Sequence, residues 1–344
     1  MVDLSGETAK LPAFKDCLAA ASGSRASGID AIATPPDQLA KDCPEITEIL
    51  GSSAVRTSLE TYKRRDAEAV RQQDHLMQEA TRANLCLMGA GVLSGLVLLL
   101  GAEKDALVKQ GYAVDSIIFA LGLLTLALGA AGAYFQYVAR DQGRISRWRA
   151  ARGEAEIARL DVFTTVADKA AASSPKVALY GLAMLIAHLV NDQRRWFGGR
   201  ALRHRQSSEV TSKWGGLANA LAFIGGSGAV IASQTQGSYW IVFAGVIGAA
   251  IAAYSSNRDA LLRDRANADR YEKAQVALDG LAGRTDEVAT QIAGEPKALV
   301  AFAGAVTDLL SNEHKQWLDG TQQADALLEK LDAQLQQLGG AKKA

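Results

Sequence analysis

Three long stretches without a charged residue constrain the fold of this chain more than any other feature. Residues 83–102 contain no charge over 20 positions, residues 116–139 none over 24, and residues 214–257 none over 44. A bilayer core of about 30 Å is crossed by a helix of about 20 residues. The longest run contains the polar sequence SQTQGS and therefore divides into two spans. The four predicted transmembrane helices are about residues 84–102, 114–139, 214–233 and 238–256.

Buried helices of a soluble bundle are the alternative interpretation of these runs. Helices in the core of a soluble protein rarely contain more than about 14 consecutive uncharged residues, so the lipid bilayer is the favoured partner. A signal peptide is not expected, because the first 44 residues contain no continuous apolar stretch. The predicted fold class is an all-α, polytopic membrane protein with two tandem transmembrane hairpins and long cytoplasmic helices forming a bundle.

Composition favours a helical membrane protein and argues against several classes of function. Hydrophobic residues make up 49% of the chain and aromatic residues only 6%, so the apolar content is mainly aliphatic. The 37 basic residues are balanced by 37 acidic ones, which argues against a nucleic-acid partner. Cys17, Cys43 and Cys86 have no paired spacing, and the histidines are scattered. Catalytic and phosphate-loop motifs are absent, so we expect no enzymatic activity, no cofactor and no metal site.

The distribution of basic residues predicts the orientation in the membrane. The loop at 103–112 contains only Lys104 and Lys109, and the loop at 234–238 contains no charge. The other 35 lysines and arginines lie on the opposite side of the predicted spans. Because basic residues accumulate on the cytoplasmic side, we predict a bacterial inner-membrane protein whose two termini are both cytoplasmic.

An internal duplication is visible after each predicted hairpin. Eight residues between positions 140 and 161 recur at an offset of 118, and a second group, including Pro175 and Trp196, recurs at an offset of 121. The chain is therefore predicted to contain two repeats, 45–200 and 201–344, preceded by a loosely ordered segment at 1–44. We expect the two copies to superpose, with parallel orientation. The residues of the charged signature are Arg140, Asp141, Arg147, Arg152 and Glu154 in the first copy and Arg258, Asp259, Arg265, Arg270 and Glu272 in the second.

Two interpretations of the charged signature remain open. The arginines are candidates for binding an anionic lipid or a nucleotide phosphate. Charge pairing between packed helices, together with the cytoplasmic accumulation of basic residues, explains the same pattern and is favoured.

Small and polar residues inside the predicted spans suggest how the helices pack. The candidate helix-packing glycines are Gly91, Gly95, Gly225 and Gly228, which allow close contact within or between subunits. The candidate pore-lining residues are Ser94, Thr125, Asn219 and Ser227, for which interhelical hydrogen bonding is the alternative role. Charged residues are absent from the runs at 83–102, 116–139 and 214–257, which argues against a pump or an ion-coupled transporter.

The cytoplasmic segments are predicted to be helical. Residues 45–101 contain no proline, so one continuous helix is expected there. Pro175 and Pro296 suit the first turn of a helix, where the missing N–H costs no hydrogen bond. Leucines recur at 327, 331, 335 and 338 and predict a coiled-coil seam. Together with the glycine-rich faces, this seam predicts a homo-oligomer.

The repeated unit resembles the bacterial SMODS- and SLOG-associating two-transmembrane effector (SLATT) family. A basic helix from Arg64 to Arg82 leads into a short hairpin, and an Arg-rich helix containing Trp148 and Glu154 follows directly. The likeness covers about residues 56–200 and 201–340 and consists of architecture and charge pattern. It implies a pore-forming effector of bacterial conflict or stress systems, triggered by a separate cytoplasmic sensor or nucleotide-signalling partner. Many members have one hairpin, whereas this chain has two. A non-conducting membrane scaffold that recruits cytoplasmic partners is the alternative function.

Overall fold

The fold is described from a computed structural model that covers residues 11–23, 28–139, 142–235 and 239–315. Within helices, side chains are described except at residues 142, 226–235, 239, 257–258 and 260–262. All regular secondary structure in these ranges is helical, which confirms the predicted all-α class. The helices are α1 (Phe14–Ser22), α2 (Asp30–Ala33), α3 (Asp37–Asp42), α4 (Pro44–Gly51), α5 (Ser53–Ala102), α6 (Lys104–Lys109), α7 (Val114–Ala139), α8 (Gln142–Ala171), α9 (Pro175–Leu185), α10 (Asn191–Thr235), α11 (Tyr239–Leu262), α12 (Asp264–Ala282), α13 (Thr285–Gly294) and α14 (298–315).

Two of these helices are long and apolar enough to cross a membrane. The most apolar windows of α5 and α7 have mean hydropathies of 2.3 and 2.1, and only 17% and 6% of these windows is buried. The bounds of α7 coincide with the predicted span at 114–139. A shorter apolar helix runs through Trp240–Ser256 in α11. The predicted span at 214–233 lies within α10, so the arrangement of four spans remains a prediction.

The predicted continuous helix at 45–101 is interrupted at Ser52. This residue has φ −64° and ψ 151°, which is extended backbone, and it separates α4 from α5. Pro175 occupies the first turn of α9 as predicted, and the Ser174 hydroxyl accepts a hydrogen bond from the Val177 N–H at 3.3 Å. The same prediction is wrong for Pro296, which lies in a turn two residues before α14 begins.

The chain divides into two compact units that cut across the predicted repeats. Unit 1 comprises the described residues of Met1–Val70, Arg149–Leu202 and Ala268–Ala344. Unit 2 comprises those of Arg71–Trp148 and Arg203–Asn267. Each unit therefore contains residues of both predicted repeats, 45–200 and 201–344. The boundary of a sequence repeat does not coincide here with the boundary of a folded body.

Unit 1 is built around α9, every residue of which from Val177 to Leu185 is buried. A helix that is apolar on all sides must be covered on all sides. The N-terminal helices α1 and α4 contact it, and α13 also packs against it. Cys17, Ile32 and Leu39 are at most 1% exposed in this core. The prediction that residues 1–44 are loosely ordered therefore does not match the described part of this segment, which contributes α1, α2 and α3 to the core.

A π-helical segment, Ile186–Val190, connects α9 to α10 and holds a buried histidine. His188 is 5% exposed, and its Nε2 lies 2.9 Å from the carbonyl oxygen of Ala21 in α1. Burial lowers the pKa of His188, although the Ala21 carbonyl and the Asp192 carboxylate act in the opposite direction. The neutral ring, donating from Nε2 to this carbonyl, is thus the form that suits the folded state.

We expect His188 to make unit 1 less stable in acid. Its folded-state pKa lies below the unfolded value of about 6.5, so its contribution is complete above that pH and is lost as the pH falls further. The free energy of unfolding should fall less between about pH 7.5 and about pH 5 in His188→Gln than in the wild type. Denaturant titrations of both proteins at each pH measure this difference.

The comparison between variants is needed because other groups also titrate. Burial raises the pKa of Glu313, so its protonation favours the folded state as the pH falls, which is opposite to the effect of His188. Burial lowers the pKa of His314, so its effect on stability has the same sign as that of His188. Both groups are present in wild type and variant, so their contributions cancel in the difference. Identical pH profiles for the two proteins would contradict the assignment to His188.

Candidate functional site

The helices of unit 2 pack through glycines, and the closest contact joins α10 to α11. A Cβ atom added at Gly225 would overlap the Cα atom of Gly245, and one added at Gly245 would overlap Gly225. At Gly248 an added Cβ would lie 2.7 Å from the Ala218 carbonyl oxygen. These neighbours are main-chain atoms that cannot rotate away. The two helices therefore approach each other at a distance that only glycine permits.

Helix α5 makes further glycine contacts in unit 2. A Cβ atom at Gly91 would lie 2.9 Å from the Ala250 Cβ, and one at Gly95 would lie 3.0 Å from Val246 Cγ1, both in α11. On the other side, a Cβ at Gly132 of α7 would lie 2.8 Å from Leu87 Cγ. Gly91, Gly95 and Gly225 thus serve contacts within one chain. The surroundings of the fourth candidate, Gly228, lie outside the described side chains.

Large apolar side chains of unit 2 face outward. Leu126 of α7 is 70% exposed and Phe223 of α10 is 77% exposed. A soluble protein buries such side chains, because each contributes about 1.5–3 kcal/mol when it leaves water. Contiguous apolar surface of this kind marks a surface that contacts lipid or another protein. Further members of this exposed set are Leu98, Phe119, Leu123, Trp214, Leu217, Ile224 and Trp240.

The candidate pore-lining residues occupy different environments. The Thr125 hydroxyl donates to the Leu121 carbonyl of its own helix at 2.8 Å, which satisfies it locally. Ser94 is half-buried, and Asn219 is exposed. Ser227 lies outside the described side chains. Among the described residues, therefore, Asn219 is the candidate that presents a polar group on the outer face of an apolar helix.

Three residues of the charged signature, Arg152, Glu154 and Arg270, form ion pairs in unit 1. Arg152 lies 3.2 Å from Asp66 and 2.5 Å from Glu156, and Arg270 lies 2.9 Å from Glu313. Glu154 pairs with Arg65 at 2.5 Å. These contacts support charge pairing between helices as the role of this part of the signature. Further members with exposed side chains are Arg147, Asp259, Arg265 and Glu272. Arg140, Asp141 and the Arg258 side chain lie outside the described part of the chain.

Arg152 and Arg270, which occupy matching positions of the two repeats, meet in one ionic cluster in unit 1. Its other members are Glu156, Arg159, Glu313 and His314. Burial acts to raise the pKa of Glu156, but Arg159 and Arg152 outweigh it and lower this pKa. Burial raises the pKa of Glu313 despite its contact with Arg270. The cluster thus brings three guanidinium groups together with the Glu156 and Glu313 carboxylates. These charges connect α8 to α12 and α14.

A second polar contact, within unit 2, was not predicted from the sequence. Asp264 is 3% exposed, and its carboxylate accepts a hydrogen bond from the Ser207 hydroxyl at 2.5 Å and lies 2.6 Å from Nδ1 of His204. The preceding residue, Arg263, has φ +47° and separates α11 from α12. The three polar residues anchor the start of α12 to α10. Their separation of about 60 positions along the chain left no local signal of this contact.

Two features of the described residues bear on metal binding and on thiol chemistry. Within them, no group of three or more His, Cys, Asp or Glu side chains is placed to hold a metal ion. Burial raises the pKa of Cys17 to about 11, which keeps this thiol protonated and unreactive.

No protein-family model, no curated protein and no solved structure matches the chain. Inference about its function therefore starts from the contacts and exposed surfaces described above.

We predict that Gly225→Ala destabilises unit 2. The added methyl group meets the main chain of Gly245, and overpacking of this kind costs about 1–3 kcal/mol. The matched control is Gly129→Ala in α7, where no described atom lies within 4 Å of the added Cβ. The control should change stability by no more than about 0.5–1 kcal/mol. Thermal unfolding of both variants in one detergent measures the difference, and equal midpoints would show that the α10–α11 contact is not close.

Proposed function

We propose that the protein is a multi-pass protein of the bacterial inner membrane with four spans and cytoplasmic termini. The observation that carries this proposal is the exposure of large apolar side chains along α7, α10 and α11 of unit 2. Lipid is the environment that suits these side chains, because the runs at 116–139 and 214–257 contain no charged residue. Unit 1, which contains the ionic cluster and the core around α9, lies in the cytoplasm under this proposal.

The proposed activity is that of a SLATT-type effector that forms or gates a pore as a homo-oligomer. Four helices held together by close glycine contacts leave little room for a water-filled path inside one chain. A path between chains needs no space inside one chain. The exposed amide of Asn219 would line this path. The resemblance in architecture and charge pattern supports this activity. A separate cytoplasmic sensor or nucleotide-signalling protein would supply the trigger.

A non-conducting scaffold is the second candidate function. The tight packing of α10 against α11 suits a membrane anchor as well as a pore. In that case the exposed apolar faces of unit 2 contact only lipid, and partners bind to unit 1. Measurement of ion flux separates the two functions.

The proposed orientation predicts which cysteine substitutions react from outside the cell. Val108 of α6 and Val276 of α12 are both exposed, whereas Cys17 and Cys43 are buried. In a Cys86→Ser background, a membrane-impermeant maleimide should label Val108→Cys in intact spheroplasts. It should label Val276→Cys only after the membrane is permeabilised. Labelling of Val276→Cys in intact spheroplasts would contradict cytoplasmic placement of unit 1.

The pore proposal predicts ion flux that depends on Asn219. Purified protein reconstituted in liposomes should conduct, and its mass in lipid discs should correspond to several chains. Asn219→Leu replaces an exposed polar group by an apolar one and should lower flux at least about tenfold, since apolar constrictions exclude water. Leu217→Ala, at another exposed position of α10, is the control and should conduct normally. Absence of flux from an intact oligomer would contradict the pore and favour the scaffold.

A further inference from the structure

A polar cleft of about 500 Å³ lies in unit 1, away from the residues discussed above as signature or packing residues. It is formed where α1, the π-helical segment, α10 and α12 meet. Its lining residues are Ser22, Ala187, Asn191, Arg194, Arg195 and Gln275. Five of these six side chains carry hydrogen-bonding groups, and two are arginines that are adjacent in sequence.

The first arginine of the cleft is held in place by its neighbours. The Arg194 Nε donates to the Asp279 carboxylate at 2.5 Å, and its Nη1 donates to the Asn191 side-chain oxygen at 3.0 Å. Asp279 belongs to α12, so the contact also fixes that helix beside α10. The Arg194 Nη2 also contacts the Asp279 carboxylate, so the guanidinium keeps a defined orientation where it lines the cleft, and two of its five N–H groups are left for a ligand.

The second arginine is only weakly held. The Arg195 side chain is 71% exposed, and its Nη2 lies 3.7 Å from the Asp192 carboxylate, beyond hydrogen-bond distance. Its Nε donates to the Asn191 carbonyl at a long 3.4 Å. Exposed pairs of this kind contribute at most about 1 kcal/mol. An anion that enters the cleft can therefore recruit Arg195 at little cost.

The π-helical segment accounts for the placement of both arginines. A π turn contains an additional residue, which rotates everything that follows by about 100° around the helix axis. Asn191, Arg194 and Arg195 follow this segment directly. Such turns are frequent at functional sites. On the opposite wall, Gln275 packs against Gly198, where an added Cβ would lie 2.9 Å from its amide oxygen.

We propose that this cleft binds a soluble phosphate monoester of about nucleotide size. A phosphate group presents three oxygens to two guanidinium groups, which match its geometry better than they match a single carboxylate. Arg194 and Arg195 contact the phosphate, and the Asn191, Gln275 and Ser22 side chains hydrogen-bond the remainder of the molecule. The volume lies in the range of about 300–1,000 Å³ that small-molecule sites occupy and exceeds the need of a bare phosphate ion. This binding does not depend on whether the protein conducts ions.

The test is calorimetric titration of the full-length protein in detergent with adenosine monophosphate, glucose 6-phosphate and adenosine. Both phosphate monoesters should bind at one site per chain, at least about tenfold more tightly than adenosine, because the phosphate supplies the contact with the arginines. Equal binding of adenosine, or no saturable binding of either monoester, would overturn the proposal.

Two arginine variants locate the site. Arg195→Gln removes the weakly held guanidinium without breaking the Arg194–Asp279 contact, and it should weaken binding at least about tenfold. Arg200→Gln is the matched control, because Arg200 lies in the same helix but stacks over the Trp196 ring at 5.4 Å. It should bind within about twofold of the wild type. Unchanged affinity in Arg195→Gln, with unfolding midpoints equal to the wild type, would place the ligand elsewhere.

Discussion

The main-chain contact between Gly225 and Gly245 is the interaction on which the packing of unit 2 depends. Inside a bilayer, lipid tails are as apolar as leucine, so burial of apolar side chains does not drive helices together. Association then depends on how closely the backbones approach, and the two glycines allow the closest approach in this unit. The contacts of Gly91 and Gly95 with α11 are longer and meet the side chains of Ala250 and Val246 instead of main-chain atoms. Helix α11 is thus placed against both α10 and α5.

Unit 1 relies on a different balance of forces. Its core around α9 is apolar, and water is excluded from it as in a soluble domain. The ionic cluster of Arg152, Arg159 and Arg270 is partly removed from water, where an unpaired charge is expensive. The carboxylates opposite these arginines compensate the charge, which makes the relative position of α8, α12 and α14 specific. Charge pairing here contributes specificity of packing more than net stability.

The sequence was sufficient to predict features that depend on local composition. The uncharged run at 116–139 predicted a helix that α7 confirms, and Pro175 predicted the start of α9. Features that depend on distant partners were not predictable in this way. The helix at 14–22 is short and weakly patterned, and it is stabilised by burial against α9, more than 130 positions later in the chain.

For the candidate functional residues, too, local features were predictable from the sequence and distant partners were not. Gly91, Gly95 and Gly225 were identified by their small size within apolar runs, but only the structure shows that they contact α11 of the same chain. Glu156 and Arg159 lie at helical spacing from Arg152, so a pairing within α8 was visible in the sequence. Their neighbours Glu313 and His314 come from the other end of the chain and gave no local signal. The π-helical segment that forms the polar cleft likewise has no sequence signature.

The position of Arg152 and Arg270 shows how a duplicated sequence can give an asymmetric structure. The two arginines occupy matching positions of the predicted repeats, and both belong to the ionic cluster. Their partners differ, because Arg152 pairs with Asp66 and Glu156 while Arg270 pairs with Glu313. Position 274, which matches Glu156 at the offset of 118, is an alanine buried in the core. One copy therefore supplies a charge where the other supplies an apolar contact. Glu156 has both of its arginine partners within its own helix, whereas Arg270 pairs with Glu313 of α14, so the two copies contribute to the cluster in different ways.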